Sequence, residues 1–302
     1  MSLINELQEL PEQGTAGVAT VAAQDESRRS FVGVRLLRWA TSHPDVALAV
    51  LVLVVVVLWA IVPSLFAGSP DAIDPASILK GPSAAHWFGT DNLGRDMVSR
   101  VIYGARESLI GSVIAISVGF LIGSAIGSIA GWFGGVAETL LMRAIDVLLA
   151  IPFFLLTVTI VVLLGFGTIH AALAVGLSTS AIFARLIRGE VLKVRASQYV
   201  EAAVSGGVGP WSILRRHVVP NSLAPALSLV TVQLGVAIIW LASLSFLGFG
   251  AQPPTPEWGL LVSEGRDYIA ANDWWLVVFP ALAIVFTVMA TNRIGHYLAG
   301  RD

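Results

Sequence analysis

Cysteine is absent from all 302 residues, which excludes disulfides, thiolate metal sites and cysteine catalysis. Lysine is almost as scarce, with only Lys80 and Lys193 present, each preceded by leucine. A phosphate-binding loop needs GxxxxGK followed by Ser or Thr, because backbone amides cradle the phosphates and the lysine reaches the terminal ones. Neither lysine stands in that setting, so a loop of this kind is excluded. Charge is also thin, at 13% of residues against roughly a quarter in an ordinary soluble domain. In its place 56% of residues are hydrophobic and mean hydropathy is +0.80, the composition of a multi-span membrane protein. A formal net charge of -2 offers no attraction for nucleic acid. Residues 1–27 are polar, include Glu6, Glu9, Glu12, Asp25 and Glu26, and lack an early apolar core, so they read as a cytosolic tail and not as a cleavable signal. Arg28, Arg29, Arg35 and Arg38 with Trp39 follow as an amphipathic approach suited to the headgroup layer.

Runs free of charged residues locate the spans at 46–70, 108–137, 147–184, 217–256 and 274–292. About 20 helical residues cross the ~30 Å hydrocarbon layer. The third run is long enough for two helices, with "GFGT" at 165–168 as the turn between them, which predicts six spans and an all-α polytopic fold. Placing the N-terminus in the cytosol puts thirteen of the 18 Lys and Arg residues on the inner side, so both termini are expected there. The expected division is a tail with an interfacial segment over 1–45, a first helix at 46–66, an external loop at 67–106, a core of five helices at 107–292 and a tail at 293–302. Within the core, 189–220 forms a cytosolic hairpin. From Arg188 to Arg216 it carries seven charged residues, and burying these in the bilayer would cost on the order of 20 kcal/mol.

The hairpin reads as a helix over 189–205 that ends at Gly206-Gly207, then a second helix that starts at Pro210, where a missing N–H costs nothing. Trp211, Leu214 and Val218 recur at i, i+3 and i+7 beside Arg215 and Arg216. That apolar stripe either lies on the membrane interface or receives a partner.

"EAAVSGG", Glu201 to Gly207, followed by His217 and Pro220, resembles the EAA signature of ABC importer permeases. The upstream "FARLIRGEVLKVRASQYV" is similar to the approach to that signature in peptide permeases. Two more stretches, "HWFGTDNLGRDMVSRVIYGARESL" (86–109) and "SFLGFGAQPPTPEWGLLVSEGRDYI" (245–269), resemble segments of the C-type permease subunit of dipeptide and oligopeptide ABC importers. Nickel importers of the same superfamily share much of the pattern. The resemblance covers about residues 40–290, leaves out the first 30, and lacks the acidic Asp-Gly-Leu-Arg-Asp type of ending in the final "TNRIGHYLAGRD".

The resemblance implies a type I importer permease fold in a bacterial-type plasma membrane and a role as a non-enzymatic subunit without catalytic residues. It implies a homologous B-type permease, two ATP-binding subunits and an extracytoplasmic peptide-binding protein as partners, besides membrane lipid. ATP and magnesium would then be bound by the partner ATPases, with no cofactor on this chain. The coupling residues carried over are Glu201, Ala202, Ala203, Gly207, Trp211, Arg215, Arg216, His217 and Pro220.

In the external loop, Gly89, Thr90, Asp91, Asn92, Gly94, Arg95 and Asp96 stand at turn-forming spacing, either meeting a docked binding protein or forming a self-satisfied turn with Arg95 on a neighbouring carboxylate. Asp91 and Asp96, even with His86, make a poor metal site because no third carboxylate converges. Gly111, Ala115, Gly119, Gly123, Gly127 and Gly131 recur every four residues as a packing stripe whose winding of about 40° per step predicts more than one neighbour. Arg143 and Asp146, three apart, are expected to pair with each other, with a proton relay as the sharper reading of Asp146. Trp258, Tyr268, Trp274 and Trp275 read as an aromatic belt. A proton-coupled carrier is disfavoured because the later spans lack central acidic or basic residues, leaving His170 and Gln233. An intramembrane protease lacks a paired Ser/His or Asp/Asp.

Overall fold

The computed structural model describes residues 41–300. The polar tail, the arginines at 28–38, Trp39 and Arg301 therefore lie outside the described residues. Two compact units divide the chain, Met1–Ala47 and Leu48–Asp302. Of the first, residues 41–47 are described, of which 44–47 open a helix, and the second carries the features that follow.

The described residues form ten α-helical segments, here α1 (Pro44–Ile61), α2 (Met97–Phe133), α3 (Gly135–Ala150), α4 (Phe153–Leu164), α5 (Thr168–Arg195), α6 (Gln198–Ser205), α7 (Pro210–Ile213), α8 (Val219–Phe246), α9 (Trp258–Gly265) and α10 (Trp275–Leu298). Five of these are long and apolar enough to cross a membrane, and a sixth span arises when α3 and α4, bent by 98° at Ile151-Pro152, count as one. Proline at 152 disfavours the α conformation for Ile151, which is extended (ψ 130°), and the break follows. The only ladder contact among the described residues is an isolated bridge between Thr90 and Asp96.

Helix α2 is 37 residues long, about 55 Å, well beyond the ~30 Å hydrocarbon. It begins inside the segment read from sequence as external loop, because Asp96 caps it: the carboxylate accepts from the Ser99 N–H (2.9 Å) and the Ser99 hydroxyl (3.1 Å). The Gly/Ala stripe of α2 lies against α5. A methyl group on Gly123 would sit 2.5 Å from the Ser180 carbonyl oxygen, and one on Gly127 would sit 2.5 Å from that of Ala184. Only glycine lets the two backbones come this close. Contact positions rise together along both helices, so α2 and α5 run parallel.

The stripe meets more than one neighbour, as its winding suggested, but α5 takes most of it. Gly119, Gly123, Gly127 and Gly131 all face α5, and only Gly111 also meets Leu241 on α8. The reason is geometric: an i+4 row is inclined to its helix axis by roughly 26°, so one partner lying along the row keeps the contact.

Around this pair, Ala115, Val161, Val175, Phe183 and Leu244 build the central core. At the N-terminal end of α2, Val56, Val101, Ala105, Trp258 and Leu261 form a second cluster. At its C-terminal end, Trp132 joins Ile187, Val191, Val200, Ile213, Leu214, Val218 and Ala226. The two signature regions thus sit at opposite ends of α2.

Candidate functional site

The hairpin after α5 is built on that last cluster. The sequence predicted one helix over 189–205, but α5 continues to Arg195 and α6 starts afresh at Gln198. Ser197 is extended between them (φ −81°, ψ 147°), its hydroxyl donating to the Val194 carbonyl. Such local side-chain bonding competes with helix continuation. Helix α6 ends where expected: Gly207 adopts φ +76°, letting the Val208 N–H reach the Ala203 carbonyl at 3.2 Å. Pro210 opens α7 as its first residue.

Leu214–Val218 then winds as a π turn that carries Arg215, Arg216 and His217, before α8. Pro220 explains the widening, since in a regular α-helix its ring would press on the carbonyl of Arg216 four residues back. Of the stripe read from the sequence, Leu214 (4% exposed) and Val218 (0%) are roots in the core, while Trp211 is 63% exposed. The stripe is therefore divided: two members fasten the hairpin and one faces outward. Glu201, Ala202, Gly207, Arg215, Arg216 and Pro220 are exposed as well, with Ala203 and His217 half-buried.

The hairpin is tied to α2 by a further contact. Arg195 lies 5.9 Å from the Trp132 ring centroid and donates to the Gly131 carbonyl at 3.5 Å. An open groove of about 520 Å³ runs between Trp132, Phe133, Arg195, Glu201, Val204 and Pro210. The arrangement is a short polar and aromatic face on an apolar root packed against α2, α5 and α8.

The motif at 89–96 is arranged in the opposite sense, inward. Asp91 is 4% exposed, and its carboxylate accepts from the Leu93 and Arg95 N–H groups (both 2.9 Å), from Arg95 Nε (2.7 Å) and from Arg100 Nη1 (2.9 Å). The same Arg100 nitrogen reaches Glu264 Oε2 on α9 at 2.8 Å. Thr90 accepts from the Lys80 N–H (2.9 Å) and donates to the Ser77 carbonyl, while its own carbonyl accepts from Trp275 Nε1 at 3.2 Å. Gly94 (φ +77°) leaves room for the Asp74 carbonyl, which a methyl group would meet at 1.9 Å. Gly89 makes the Lys80 carbonyl and Trp275 close neighbours. Asp74, outside the spans, has its carboxyl held below the usual range by the Ser77 side chain and then by the Ala76 N–H. The loop is a clasp joining residues 74–100 to α9 and α10, with the turn satisfied internally.

Helix α9 is locked by Glu257 and Trp258. Glu257 is 2% exposed and caps α9, accepting from the Gly259 and Leu260 N–H groups (3.0 Å each) and from the Ser108 hydroxyl (2.9 Å). Trp258, fully buried, donates from Nε1 to the Val101 carbonyl at 2.8 Å, in a space left by Gly104. Trp258 and Trp275 are therefore core anchors and not belt residues, because each indole N–H finds a backbone carbonyl inside the protein. Trp274, 44% exposed, keeps the outward position.

The expected Arg143–Asp146 pair does not form. Asp146 bonds Arg185 on α5 at 2.7 Å, and Glu138 bonds Arg188, because α5 places these cations beside α3. His86 Nδ1 lies 3.1 Å from Asp96 Oδ1, and His170 Nδ1 lies 3.0 Å from the Phe166 carbonyl. Among the described residues no cluster of three or more His, Asp or Glu side chains suits a metal ion. Sequence reasoning missed the Arg100–Glu264 bond, the Glu257 cap and the π turn. Spacing carries no signal for the Arg100–Glu264 bond or for the Ser108 hydroxyl on Glu257, whose partners lie 164 and 149 residues apart, whereas the cap bonds of Glu257 to Gly259 and Leu260 are local and Pro220 could have announced the π turn.

Residues 123–301 match the family model "Binding-protein-dependent transport system inner membrane component". The chain is 36% identical over 277 residues to the probable D,D-dipeptide transport system permease protein DdpC of Escherichia coli K12, covering 91% of this chain and 93% of that one. It is 40% identical over 266 residues to the glutathione transport system permease protein GsiD of Pectobacterium atrosepticum, covering 86% and 87%. The dipeptide transport system permease protein DppC of Alkalihalophilus pseudofirmus is 40% identical over 236 residues, covering 78% and 77%. In fold, the chain resembles a crystal structure of an amino acid ABC transporter, with TM-score 0.52 and 16% identity over 68% of this chain and 95% of that one. It is similar in the same way to an inward-facing MetNI methionine ABC transporter, with TM-score 0.50 and 21% identity over 67% and 97%. With an apolar helical bundle carrying this match across more than half its length, the chain belongs to the family of binding-protein-dependent transport system inner membrane components, as a multi-pass membrane protein.

Proposed function

We propose that this chain is the C-type permease subunit of an ATP-driven importer of short peptides, in which the hairpin at 189–220 couples the spans to an ATPase. The observation that carries the coupling role is the division within the hairpin: Val200, Ile213, Leu214 and Val218 are buried roots, while Glu201, Trp211, Arg215 and Arg216 face outward. An exposed tryptophan flanked by arginines is the composition of an interface anchor and not of a solvated loop. Peptides are favoured over nickel as cargo because the three relatives described above are named for dipeptides or glutathione. The buried Glu257 and the Asp91 network are structural, and substrate contact falls to small and polar groups between this chain and a homologous B-type permease.

The working assembly adds two ATP-binding subunits, which hold ATP and magnesium, and an extracytoplasmic binding protein that sets selectivity. Both termini and the hairpin lie in the cytosol. ATP-driven closure of the ATPases moves the hairpin, and its apolar root carries that motion into α2, α5 and α8.

Purification of the tagged chain in mild detergent tests the assembly. A second permease and ATPase chains bearing phosphate-binding loops should accompany it. A lone monomer or homo-oligomer contradicts the reading. Trp211→Asp is expected to weaken ATPase association by roughly 30-fold, the effect of losing an aromatic anchor, with normal membrane insertion. Unchanged co-purification would return Trp211 to the membrane interface.

A further inference from the structure

Three arginines surround an open basin of about 570 Å³ between α3 and α5. Two are paired, Arg185 with Asp146 and Arg188 with Glu138, whereas the exposed Arg143 has no ion-pair partner among the described residues. One positive charge of these five groups is thus uncompensated. On the outer side of α3, Val136, Leu140 and Val147 are 75%, 66% and 63% exposed. At 100° per residue these three fall within about 40° of one another, and Arg143 lies about 20° beyond them on the side of Thr139 and Asp146. Arg143 therefore marks the border between an apolar strip and the mouth of the polar basin.

The chain direction supports a membrane boundary here. Helix α4 carries no charged residue and continues from α3 only after the 98° bend, so α3 leaves the direction of the apolar segment it precedes. The basin also adjoins the end of α2 that bears the hairpin, since Gly134 and Arg195 are close neighbours there. In such a setting an apolar strip lies along acyl chains while a guanidinium meets a headgroup phosphate, whose oxygens match its planar fork.

We propose that the α3–α5 basin binds the headgroup of an anionic phospholipid, with Arg143 as the phosphate ligand and Val136, Leu140 and Val147 alongside the acyl chains. The charge and the strip lie together on one helix, as a lipid requires of a site that takes both its head and its tails.

Native mass spectrometry of the full-length tagged chain, with whatever co-purifies, tests this. The sample is titrated with phosphatidylglycerol, and with phosphatidylcholine for comparison. The wild type should retain phosphatidylglycerol preferentially. Arg143→Gln should reduce that preference about fivefold, the factor expected for one basic residue at an anionic surface, and Arg143→Lys should keep most of it. Added inorganic phosphate should not displace the lipid. Equal preference in wild type and Arg143→Gln overturns the proposal, as does displacement by free phosphate. Loss of a co-purifying protein in Arg143→Gln with lipid binding unchanged also overturns it, by assigning the strip to a partner subunit. The readout requires no transport, so it stands or falls separately from the importer reading.

Discussion

Alanine at Asp91 is expected to destabilise the protein by about 3–5 kcal/mol, the cost of leaving a buried charge without its counter-ion. Asp91 accepts four hydrogen bonds, two from backbone and two from the buried guanidiniums of Arg95 and Arg100. Its removal leaves Glu264, itself partly exposed, as the remaining carboxylate beside both cations. The measurement is the thermal midpoint of the detergent-solubilised protein, together with the yield of monodisperse material. Asp91→Asn should fall between wild type and alanine, because an amide oxygen still accepts from the backbone but carries no charge. Adding Arg100→Met to Asp91→Ala should recover part of the loss by removing one orphaned cation. A midpoint for Asp91→Ala equal to wild type would show that the loop is not a clasp and would restore its reading as a docking element.

Valine at Gly123 should be comparably damaging for a steric reason. The first added carbon would already sit 2.5 Å from the Ser180 carbonyl oxygen and 2.6 Å from Phe183 Cβ. The nearest of these atoms is backbone, so relief requires separating α2 from α5, at a cost at or above the usual 1–3 kcal/mol of overpacking. Gly189→Ala on α5 is the matched control, since nothing lies within 4 Å of its added carbon. It should be neutral or raise stability by roughly 0.5–1 kcal/mol, as alanine does for glycine inside a helix. If Gly123→Val solubilises with an unchanged midpoint, the close α2–α5 contact is wrong.

Much of the architecture was legible before any coordinates, and for identifiable reasons. Charge is so costly in lipid that gaps between charged residues outline the spans, and the run read as two helices holds α4 and the first part of α5 on either side of the turn at Gly165–Gly167. The hairpin was legible because Gly206-Gly207 and Pro210 act locally, through backbone conformation, wherever the rest of the chain goes. The glycine stripe announced a packing surface. It did not announce that one neighbour takes most of the stripe, since the path of the partner along an i+4 row belongs to the pair and not to either helix.

What the sequence by itself determined is therefore what depends on near neighbours and on solvent: helical content, the membrane class, the lack of a phosphate-binding loop, and the turn that ends α6. The tertiary structure alone decided the partners. Asp146 faces Arg185 and not Arg143, and Arg100 reaches across 164 residues to Glu264. Trp258 and Trp275 turn inward although their composition suits a belt. Ion pairs and buried indoles are satisfied by whichever groups the fold brings within about 3 Å, and that proximity arises from helix packing, which no spacing along the chain encodes.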